Sequence, residues 1–471
     1  MNTRGWLGLA LLLASLVINL AWISQDRLLR DGDEEGHVGA AELFLDDLRG
    51  GRVGGFVKRA VVEDMGDYPS LYPAAVGAWW RVAGGGQPGR GAVRSVNLLF
   101  LGLAAAGVYA AARCHVAAGP ALLGAAAVTW LPLQVGIARH FMPEGALAAA
   151  VSLTVAAAAW QRRRPTPARA ALLGLALAAG LLTKQTFPLY VAAPVLLTVR
   201  WKPSLLAAAA GLVIAAPWYA NNLIEQLSYV GDSAAYKGSA GWLAHALYYP
   251  QALAGLGLGP VWCALGLAAA AAAWTGRSDG GGWRLIGLCA AWLVGGMLLL
   301  SLVPKKYDRL LVPLLPAAGL AVAAGAAARP RWGALVLAGV GWTGWLSWAE
   351  SPMAAPPQPV VDFEPGCIQV WLRPPDPRGA GFEAIGEAAR AGPYGPIELI
   401  EPPAIPCDVQ TTHGWAYHLS PWLRRAGLDR PIQQAGEPAD AAPTLVVDFR
   451  DGADGERVSV PLLETSYALR R

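Results

Sequence analysis

The sequence predicts a polytopic membrane protein built mainly from α-helices. Its 471 residues are 55% hydrophobic and only 15% charged, whereas soluble globular chains carry about 25% charged residues. The apolar residues recur in blocks of roughly 20, the length of helix that crosses a hydrocarbon core of about 30 Å. Backbone polar groups inside a bilayer need internal partners, so these blocks must be helices. We expect a bundle of about 11 such spans.

The first apolar block covers residues 5–24, and Arg4 before it favours a cytoplasmic N-terminus. Because this block lacks a small-residue cleavage site, we predict an uncleaved first helix rather than a signal peptide. The shortest later blocks, 169–183 and 187–200, are predicted to form a helical pair around a break at Lys184. All the later spans are expected near residues 92–111, 117–137, 143–160, 169–183, 187–200, 204–220, 251–274, 284–303, 310–328 and 333–349.

Residues 25–90 form a long polar loop that carries two predicted surface helices. Apolar side chains recur in its first half at Val38, Ala41, Leu45 and Leu48. This spacing favours a short amphipathic helix that lies on the membrane surface. The stretch 67–82 is rich in Tyr and Trp, which concentrate at membrane interfaces, and it predicts a second interfacial or re-entrant helix.

A change of composition near residue 350 predicts two domains, a membrane module over 1–349 and a C-terminal α/β domain over 350–471. Short strands are expected at 360–361, 368–372, 397–400 and 445–449, and helices at 382–391 and 415–426. The basic residues of the module occupy alternate short loops, which marks those loops as cytoplasmic. With an odd number of spans, the first loop and the C-terminal domain then face outward. Cys367 and Cys407 of this domain form either a disulfide or two unpaired thiols.

An acidic stretch, Asp31-Gly32-Asp33-Glu34-Glu35-Gly36-His37, follows the first helix. Three consecutive carboxylates and a histidine are not needed to anchor a helix. The stretch is therefore either the catalytic edge of an enzyme or a solvated acidic cap, and residues elsewhere in the chain must decide between the two.

Ionisable residues near the later spans favour the catalytic interpretation. Residues 92–349 contain only five acidic side chains, Glu144, Glu225, Asp232, Asp279 and Asp308. Cations accompany them at outward turns of the predicted topology, namely Arg139, Lys184, Lys305, Lys306 and Arg309. Charges at such positions are costly unless they are paired or functional. We expect the cations to converge and bind a phosphate, with snorkelling helix ends as the alternative.

Five segments occur in the order found in a known family. They are 32–37 with its Asp-Glu pair, 69–73 (Pro-Ser-Leu-Tyr-Pro), 139–144, Lys184 after Gly-Leu-Leu-Thr, and 305–316 with Lys-Tyr-Asp-Arg; Arg94 begins the second span. This set resembles the GT-C class of integral membrane glycosyltransferases, in the branch of protein O-mannosyltransferases and lipid A aminoarabinose transferases. Ser70 and Glu144 depart from the proline and aspartate usual there. The resemblance covers residues 1–330.

The resemblance implies a GT-C-like fold and a sugar donor linked to polyprenyl phosphate. It implies Asp33 as general base with Glu34 beside it, because a positioned carboxylate takes the proton of the acceptor. Glu144 and His37 are expected to contact the acceptor or to form a second acidic site. The residues expected to bind the donor phosphate are Lys184, Lys305, Arg309 and Arg139. No cofactor is predicted, and a single carboxylate is too little to establish a divalent metal site.

Two other function classes stay open at this stage. A transporter or lipid flippase would place charges at mid-membrane, often in paired halves of the chain. A scaffold would bind cell-envelope partners through the acidic loop and the C-terminal domain. Nucleic acid is not an expected partner, because residues 350–471 hold 17 acidic and 10 basic side chains and no lysine. The expected partners are the lipid-linked donor, membrane lipid, and a protein, lipid or glycan acceptor.

Overall fold

The computed structural model describes most of the membrane module and five short strands beyond it. The described ranges are 2–26, 32–62, 68–83, 92–199, 201–235, 242–275, 281–303, 306–329, 331–348, 397–400, 432–434, 445–448, 456–459 and 466–470. Every apolar block predicted from the sequence forms a helix or a bent pair of helices. The protein is mainly helical, as the composition predicts.

Three helices lie in the long loop after α1, namely α2 (Gly32–Arg49), α3 (Val53–Val61) and α4 (Leu71–Ala83). The other helices are α1 (Thr3–Gln25), α5 (Ala92–Ala112), α6 (Ala118–Val128), α7 (Pro132–Ala138), α8 (Glu144–Arg163), α9 (Pro167–Thr183), α10 (Phe187–Thr198), α11 (Trp201–Asn221), α12 (Leu223–Ala235), α13 (Trp242–Ala252), α14 (Gly259–Thr275), α15 (Gly281–Ser301), α16 (Pro316–Ala328) and α17 (Trp332–Trp348). A π-helical turn covers Leu253–Gly257, and a 3-10 helix covers Asp308–Leu314.

Within the described ranges, four helices are long and apolar enough to cross a membrane, and the number rises to seven if each bent pair counts as one span. These helices support a multi-pass membrane protein. The predicted count of 11 spans is not confirmed. The difference has a physical origin, because α9, α10 and α17 are shorter than the roughly 20 residues that cross a hydrocarbon core.

The breaks between helices follow from local sequence. The predicted span 117–137 divides into α6 and α7, which meet at 64°. Pro132 begins α7, where its missing N–H needs no partner. The predicted break at Lys184 separates α9 from α10. Gly259 has a φ of +68°, which favours glycine, and it follows the sharp 106° bend before α14.

The centre of the bundle is built from small residues that let helices approach closely. A Cβ at Gly124 of α6 would collide with the backbone carbonyl of Gly319 in α16. A Cβ at Gly107 of α5 would collide with Ser152 of α8 in the same way. Close backbone contact is the usual driving force between membrane helices, because lipid offers no hydrophobic gain on their association. The apolar core is therefore centred on α5, α6, α8 and α16, which contribute many of its buried residues.

Helix α2 packs differently from the prediction. Its apolar residues Val38, Ala41 and Leu45 are buried in a cluster that contains Tyr72 of α4 and Phe141 before α8. The prediction that this face lies on the membrane surface is therefore wrong, since protein side chains cover it. This packing holds the start of α2, and with it Glu34, against the bundle.

The C-terminal region contains a five-stranded mixed sheet. Its strands are β1 (Ile397–Ile400), β2 (Ile432–Gln434), β3 (Leu445–Asp448), β4 (Glu456–Ser459) and β5 (Ser466–Arg470). Their order in the sheet is β2-β1-β3-β5-β4. Strand β1 pairs in parallel with β2 and β3, and β5 pairs antiparallel with β3 and β4. Strands β1 and β3 coincide with apolar runs singled out in the sequence. The predicted strands near 360 and 370, the two predicted helices, Cys367 and Cys407 lie outside the described residues, and the α/β domain as a whole stays a prediction.

Candidate active site

The segment 139–144 lies between α7 and α8 and connects two groups of buried charges. All six of its residues are buried. Its first part contacts residues of α1, α2 and α5, whereas Glu144, the first residue of α8, contacts Lys184 and Arg309. A short segment between two apolar helices therefore brings distant parts of the sequence together.

The first group, which we call the Glu144 cluster, consists of Glu144, Lys184 and Arg309. The Lys184 ammonium donates to Oε1 of Glu144 at 2.7 Å, and Nε of Arg309 lies 3.7 Å from the same oxygen. Lys184 reaches the site because the helical conformation is interrupted there, between the end of α9 and the start of α10. Arg309 belongs to the 3-10 helix before α16. All three side chains are buried, so two cations share one carboxylate away from water.

The second oxygen of Glu144, Oε2, is buried and has no hydrogen-bond partner among the described residues. The cluster therefore combines two buried cations with an acceptor oxygen that no described residue pairs. Lys and Arg are the usual partners of phosphate groups, and a carboxylate oxygen accepts hydrogen bonds from hydroxyl or amine groups. The arrangement suits a ligand that carries both an anion and a hydrogen-bond donor.

Around the Glu144 cluster lie sulfur and aromatic groups. Lys184 Nζ lies 4.9 Å from the centroid of the Tyr68 ring, and the Arg309 guanidinium lies 4.9 Å from that of Tyr307. Nη1 of Arg309 also lies 3.5 Å from Sδ of Met142. Cations over aromatic faces are stabilised most where water is excluded, so these rings stabilise the two buried cations.

The second group, the Arg94 cluster, consists of Arg94, Asp26, Glu34 and His140. Arg94 at the start of α5 donates to Asp26 at the end of α1, and its Nη2 lies 3.5 Å from Glu34. Nδ1 of His140 lies 3.6 Å from Oε1 of Glu34. The same Glu34 oxygen accepts the backbone N–H of Phe141. This cluster ties α1, α2, α5 and segment 139–144 together.

Glu34 is strongly held in its ionised form. Burial alone raises the pKa of a carboxylate, but here the charge of Arg94, the interaction with His140 and the N–H of Phe141 outweigh burial and lower the pKa of Glu34 to about 2. A carboxylate with so low a pKa is a weak proton acceptor. Its contacts are those of a group that positions α2 against segment 139–144, and its predicted catalytic role stays a prediction.

Arg139 lies apart from the other predicted phosphate-binding cations. Its Nε donates to Oδ1 of Asn19 at 2.7 Å, and its guanidinium lies 4.9 Å from the centroid of the Trp22 ring. Both partners belong to α1. The structure thus brings Lys184 and Arg309 together on Glu144 and gives Arg139 a different set of contacts. Its role in binding phosphate stays a prediction.

His37 is buried between aromatic rings. Its ring centroid lies 5.5 Å from that of Tyr68 and 5.7 Å from that of Tyr72. The sequence alone also allowed an exposed loop histidine, and the burial of the side chain excludes that alternative. Because Tyr68 also lies beneath Lys184, the aromatic group joins His37 to the Glu144 cluster. This position is compatible with the predicted contact to an acceptor, which stays a prediction.

Two predicted site groups lie outside what the structure describes. The backbone of Asp33 belongs to the first turn of α2, but its side chain lies outside the described residues, as does Lys305. Asp26 and His140 were not among the predicted site residues, and Arg94 was noted only in the family motif. The sequence could have marked Asp26 and Arg94 as site candidates, since each is an ionisable residue at the end of an apolar block.

The described residues contain no group of three or more His, Cys, Asp or Glu side chains that could hold a metal ion. The divalent metal left open by the sequence gains no ligand set from these residues. The absence of a cofactor stays a prediction.

Comparison with known proteins identifies the fold. No family model matches the sequence, and no curated protein matches it. Among solved structures, the chain is similar to ArnT from Cupriavidus metallidurans bound to undecaprenyl phosphate, with a TM-score of 0.60, 15% identity, and coverage of 95% of this chain and 94% of that chain. It is also similar to the same ArnT in the apo state, with a TM-score of 0.58, 16% identity, and coverage of 94% and 93%. ArnT is a lipid A aminoarabinose transferase with a GT-C fold, the class that the sequence motifs resemble, and this chain has that fold along nearly its whole length.

Proposed function

We propose that this protein is a membrane glycosyltransferase that uses a sugar donor linked to polyprenyl phosphate. The proposal is supported by a fold shared with ArnT over 95% of the chain and by the description of one of those structures as bound to undecaprenyl phosphate. The acceptor is a protein, lipid or glycan on the outer side of the membrane. The N-terminus is cytoplasmic and the C-terminal domain is extracytoplasmic, in agreement with the basic residues in alternate loops.

The observation that carries the proposal is the Glu144 cluster. Lys184 and Arg309 meet on one carboxylate oxygen, 2.7 and 3.7 Å away, from helices distant in sequence. Two buried cations that converge from distant parts of the chain suit an anion such as phosphate. The phosphate of a lipid-linked sugar would supply that anion. The same cations would then stabilise the charge that develops on the phosphate as the sugar leaves.

The resemblance to the GT-C class implies that the reaction is a direct displacement with inversion. The hydroxyl or amine of the acceptor attacks the anomeric carbon, and the bond from that carbon to the lipid phosphate breaks. The electron pair leaves with the phosphate, where Lys184, Arg309, Lys305 and Arg139 are proposed to stabilise it. The proton of the acceptor passes to Asp33, with Glu34 beside it. Glu144 and His37 contact the acceptor in this scheme.

Release of free lipid phosphate from sugar donors tests the proposal. Purified protein would be incubated with undecaprenyl-phosphate-linked hexoses and pentoses and an envelope extract as acceptor, and the products would be measured by mass spectrometry. Wild type should release undecaprenyl phosphate from at least one donor. Lys184→Gln and Arg309→Gln should each lower the rate about 10²-fold or more, the usual effect of removing one transition-state donor. Asp33→Asn should lower it by about 10²–10⁴-fold as the loss of a general base.

A matched control is available at the opposite end of the same helix as Glu144. Arg164 caps α8 there and is exposed, so Arg164→Gln should retain the wild-type rate. The proposed roles would be contradicted if no donor released undecaprenyl phosphate, or if a folded Asp33→Asn variant kept full activity. Movement of a donor across vesicles without release of lipid phosphate would favour a flippase instead.

A further inference from the structure

Several arginines surround the turn between α5 and α6, at the opposite end of α8 from the Glu144 cluster. Helix α8 has 20 residues, so its two ends lie about 28 Å apart along the helix axis. In the proposed topology the turn, residues 113–117, faces the cytoplasm. A ligand bound there would be distant from the site proposed to transfer the sugar.

Two of these arginines contact the turn directly. Nη1 of Arg163, the last residue of α8, donates to the carbonyl oxygens of Arg113 and Cys114 at 3.4 and 3.5 Å. Nη1 of Arg113 donates to the carbonyl oxygen of Val116 at 2.6 Å. The ends of α5 and α8 therefore meet at the turn, and each brings an arginine to it.

A third arginine approaches from the start of α15. A Cβ at Gly281, the first residue of α15, would lie only 2.3 Å from the carbonyl oxygen of His115. Arg284 follows within the first turn of that helix. Burial and the charges of Arg284, Arg163 and Arg162 all lower the pKa of His115, which agrees with three cations close to its ring.

Two further arginines flank these three. Nη1 of Arg162 donates to the carbonyl oxygen of Leu197 at the end of α10, at 2.7 Å. Nη1 of Arg169 in α9 donates to the carbonyl oxygen of Trp160 at 3.0 Å. Burial raises the pKa of the Cys114 thiol, and the charge of Arg169 is among those that oppose this rise. We define the arginine cluster as Arg113, Arg162, Arg163, Arg169 and Arg284.

The described residues provide no carboxylate for the arginine cluster. None of its five members forms an ion pair with a described acidic side chain. Four of them donate to backbone carbonyls through Nη1, whereas a guanidinium carries five N–H donors. Arg284 is exposed and donates no hydrogen bond to a described residue. The neighbouring residues 276–280, which include Arg277 and Asp279, lie outside the described ranges.

Membrane orientation alone does not explain this arrangement. The positive-inside rule concerns the number of basic residues in short cytoplasmic loops. It does not require arginines from α5, α8, α9 and α15 to converge on one turn. Guanidinium groups are the usual partners of phosphate, because their planar fork matches its oxygens. The convergence therefore suits a phosphate group.

Tryptophans beside the arginine cluster indicate where that phosphate comes from. Trp160, whose carbonyl accepts from Arg169, is exposed, and so is Trp283 next to Arg284. The ring of Trp283 lies 4.7 Å from that of Trp274, another exposed tryptophan. Tryptophan concentrates at the level of lipid headgroups. The arginines are thus at the depth at which phospholipids carry their phosphate.

We propose that the arginine cluster binds the phosphate of an anionic phospholipid in the cytoplasmic leaflet. Basic pockets between membrane helices on this side recognise such headgroups. A bound lipid would bridge the ends of α5 and α8 and the start of α15. The proposal does not depend on the identity of the sugar donor or of the acceptor.

Lipid titration of the purified full-length protein in detergent tests the proposal, with native mass spectrometry to measure bound lipid. Wild type should bind phosphatidylglycerol about tenfold more tightly than zwitterionic phosphatidylcholine. Free glycerol phosphate should bind more weakly than phosphatidylglycerol, since it lacks the acyl chains. Arg284→Gln and Arg163→Gln should each weaken binding of phosphatidylglycerol about fivefold, the usual contribution of one basic residue near a membrane surface.

Two control variants make the test specific. Arg331→Gln removes an exposed arginine from the loop between α16 and α17, which the topology places on the same face, and it should bind phosphatidylglycerol as wild type does. Lys184→Gln should also keep this binding, because Lys184 lies at the other end of the bundle. Arg284→Gln should leave the melting temperature of the lipid-free protein unchanged, since Arg284 has no hydrogen bond to a described residue.

Four outcomes would overturn the proposal. Equal binding of phosphatidylglycerol and phosphatidylcholine would remove the role of charge. Equal losses in Arg331→Gln and Arg284→Gln would indicate a general effect of positive charge. Loss of binding in Lys184→Gln alone would place the lipid at the Glu144 cluster. Glycerol phosphate that binds as tightly as the lipid would indicate a site for a soluble anion. None of these results would contradict the proposed glycosyltransferase.

Discussion

The two charged groups beside segment 139–144 are built from similar residues but differ in how fully they are satisfied. In the Arg94 cluster, Glu34 interacts with Arg94, His140 and the backbone of Phe141, and Arg94 also donates to Asp26. In the Glu144 cluster, two cations share one oxygen and the second oxygen has no hydrogen-bond partner among the described residues. The first arrangement ties four parts of the chain together, and in the proposed function a ligand completes the second.

This difference separates two uses of a buried charge. A closed network in a low-dielectric interior is rigid, and removal of one member strongly lowers the stability of the fold. An open network contains a carboxylate oxygen that no described residue pairs, and a ligand with a hydrogen-bond donor can pair it. The two clusters should therefore respond differently to mutation, to acid and to added anions.

Removal of Arg94 should produce the largest effect. Arg94→Met leaves the carboxylates of Asp26 and Glu34 buried without their cation, which should cost about 3–5 kcal/mol of stability. Thermal unfolding of the detergent-solubilised protein would measure this loss. Arg164→Met, at an exposed position, should change the stability by less than about 0.5 kcal/mol. A loss below about 1 kcal/mol in Arg94→Met would mean that the cluster is not closed.

Acid should weaken the same cluster through Glu34. The pKa of Glu34 falls from an ordinary 4.5 to about 2 in the folded protein, so its ionised form stabilises the fold above the ordinary pKa. This contribution is about 3 kcal/mol, and it should disappear as the pH falls from about 4.5 to about 2. The stability difference between wild type and Glu34→Gln, measured from pH 6 downward, isolates this carboxylate. A difference that is independent of pH would contradict the low pKa.

The sequence was sufficient to predict the helices and insufficient to predict their partners. The long apolar blocks each correspond to a helix or a bent pair of helices, and short apolar runs coincide with β1 and β3. The division of span 117–137 was missed because apolar length does not show that α6 and α7 meet at an angle. The apolar face of α2 was assigned to the membrane because its pattern suits lipid and protein equally well.

The candidate site was predicted in part for the same reason. Glu144, Lys184 and Arg309 are rare charges among apolar residues, so composition alone marks them. Which cation meets which carboxylate depends on tertiary packing, and Arg139 contacts Asn19 and Trp22 instead of Glu144.

Substitution of Glu144 should have the smaller effect on stability and should be reversible by ligand. Glu144→Gln keeps an oxygen for Lys184 and loses the charge, which we expect to cost about 1–2 kcal/mol. Lys184 and Arg309 would then lose the charge of Glu144, so added undecaprenyl phosphate should stabilise this variant, by about 1.4 kcal/mol at ten times its Kd. Glu34→Gln is the matched control, since it removes an equally buried carboxylate from the closed cluster, where Asp26 still faces Arg94. If the lipid stabilised Glu144→Gln no more than it stabilises wild type, the two cations would not be a phosphate site and the contrast between the clusters would fail.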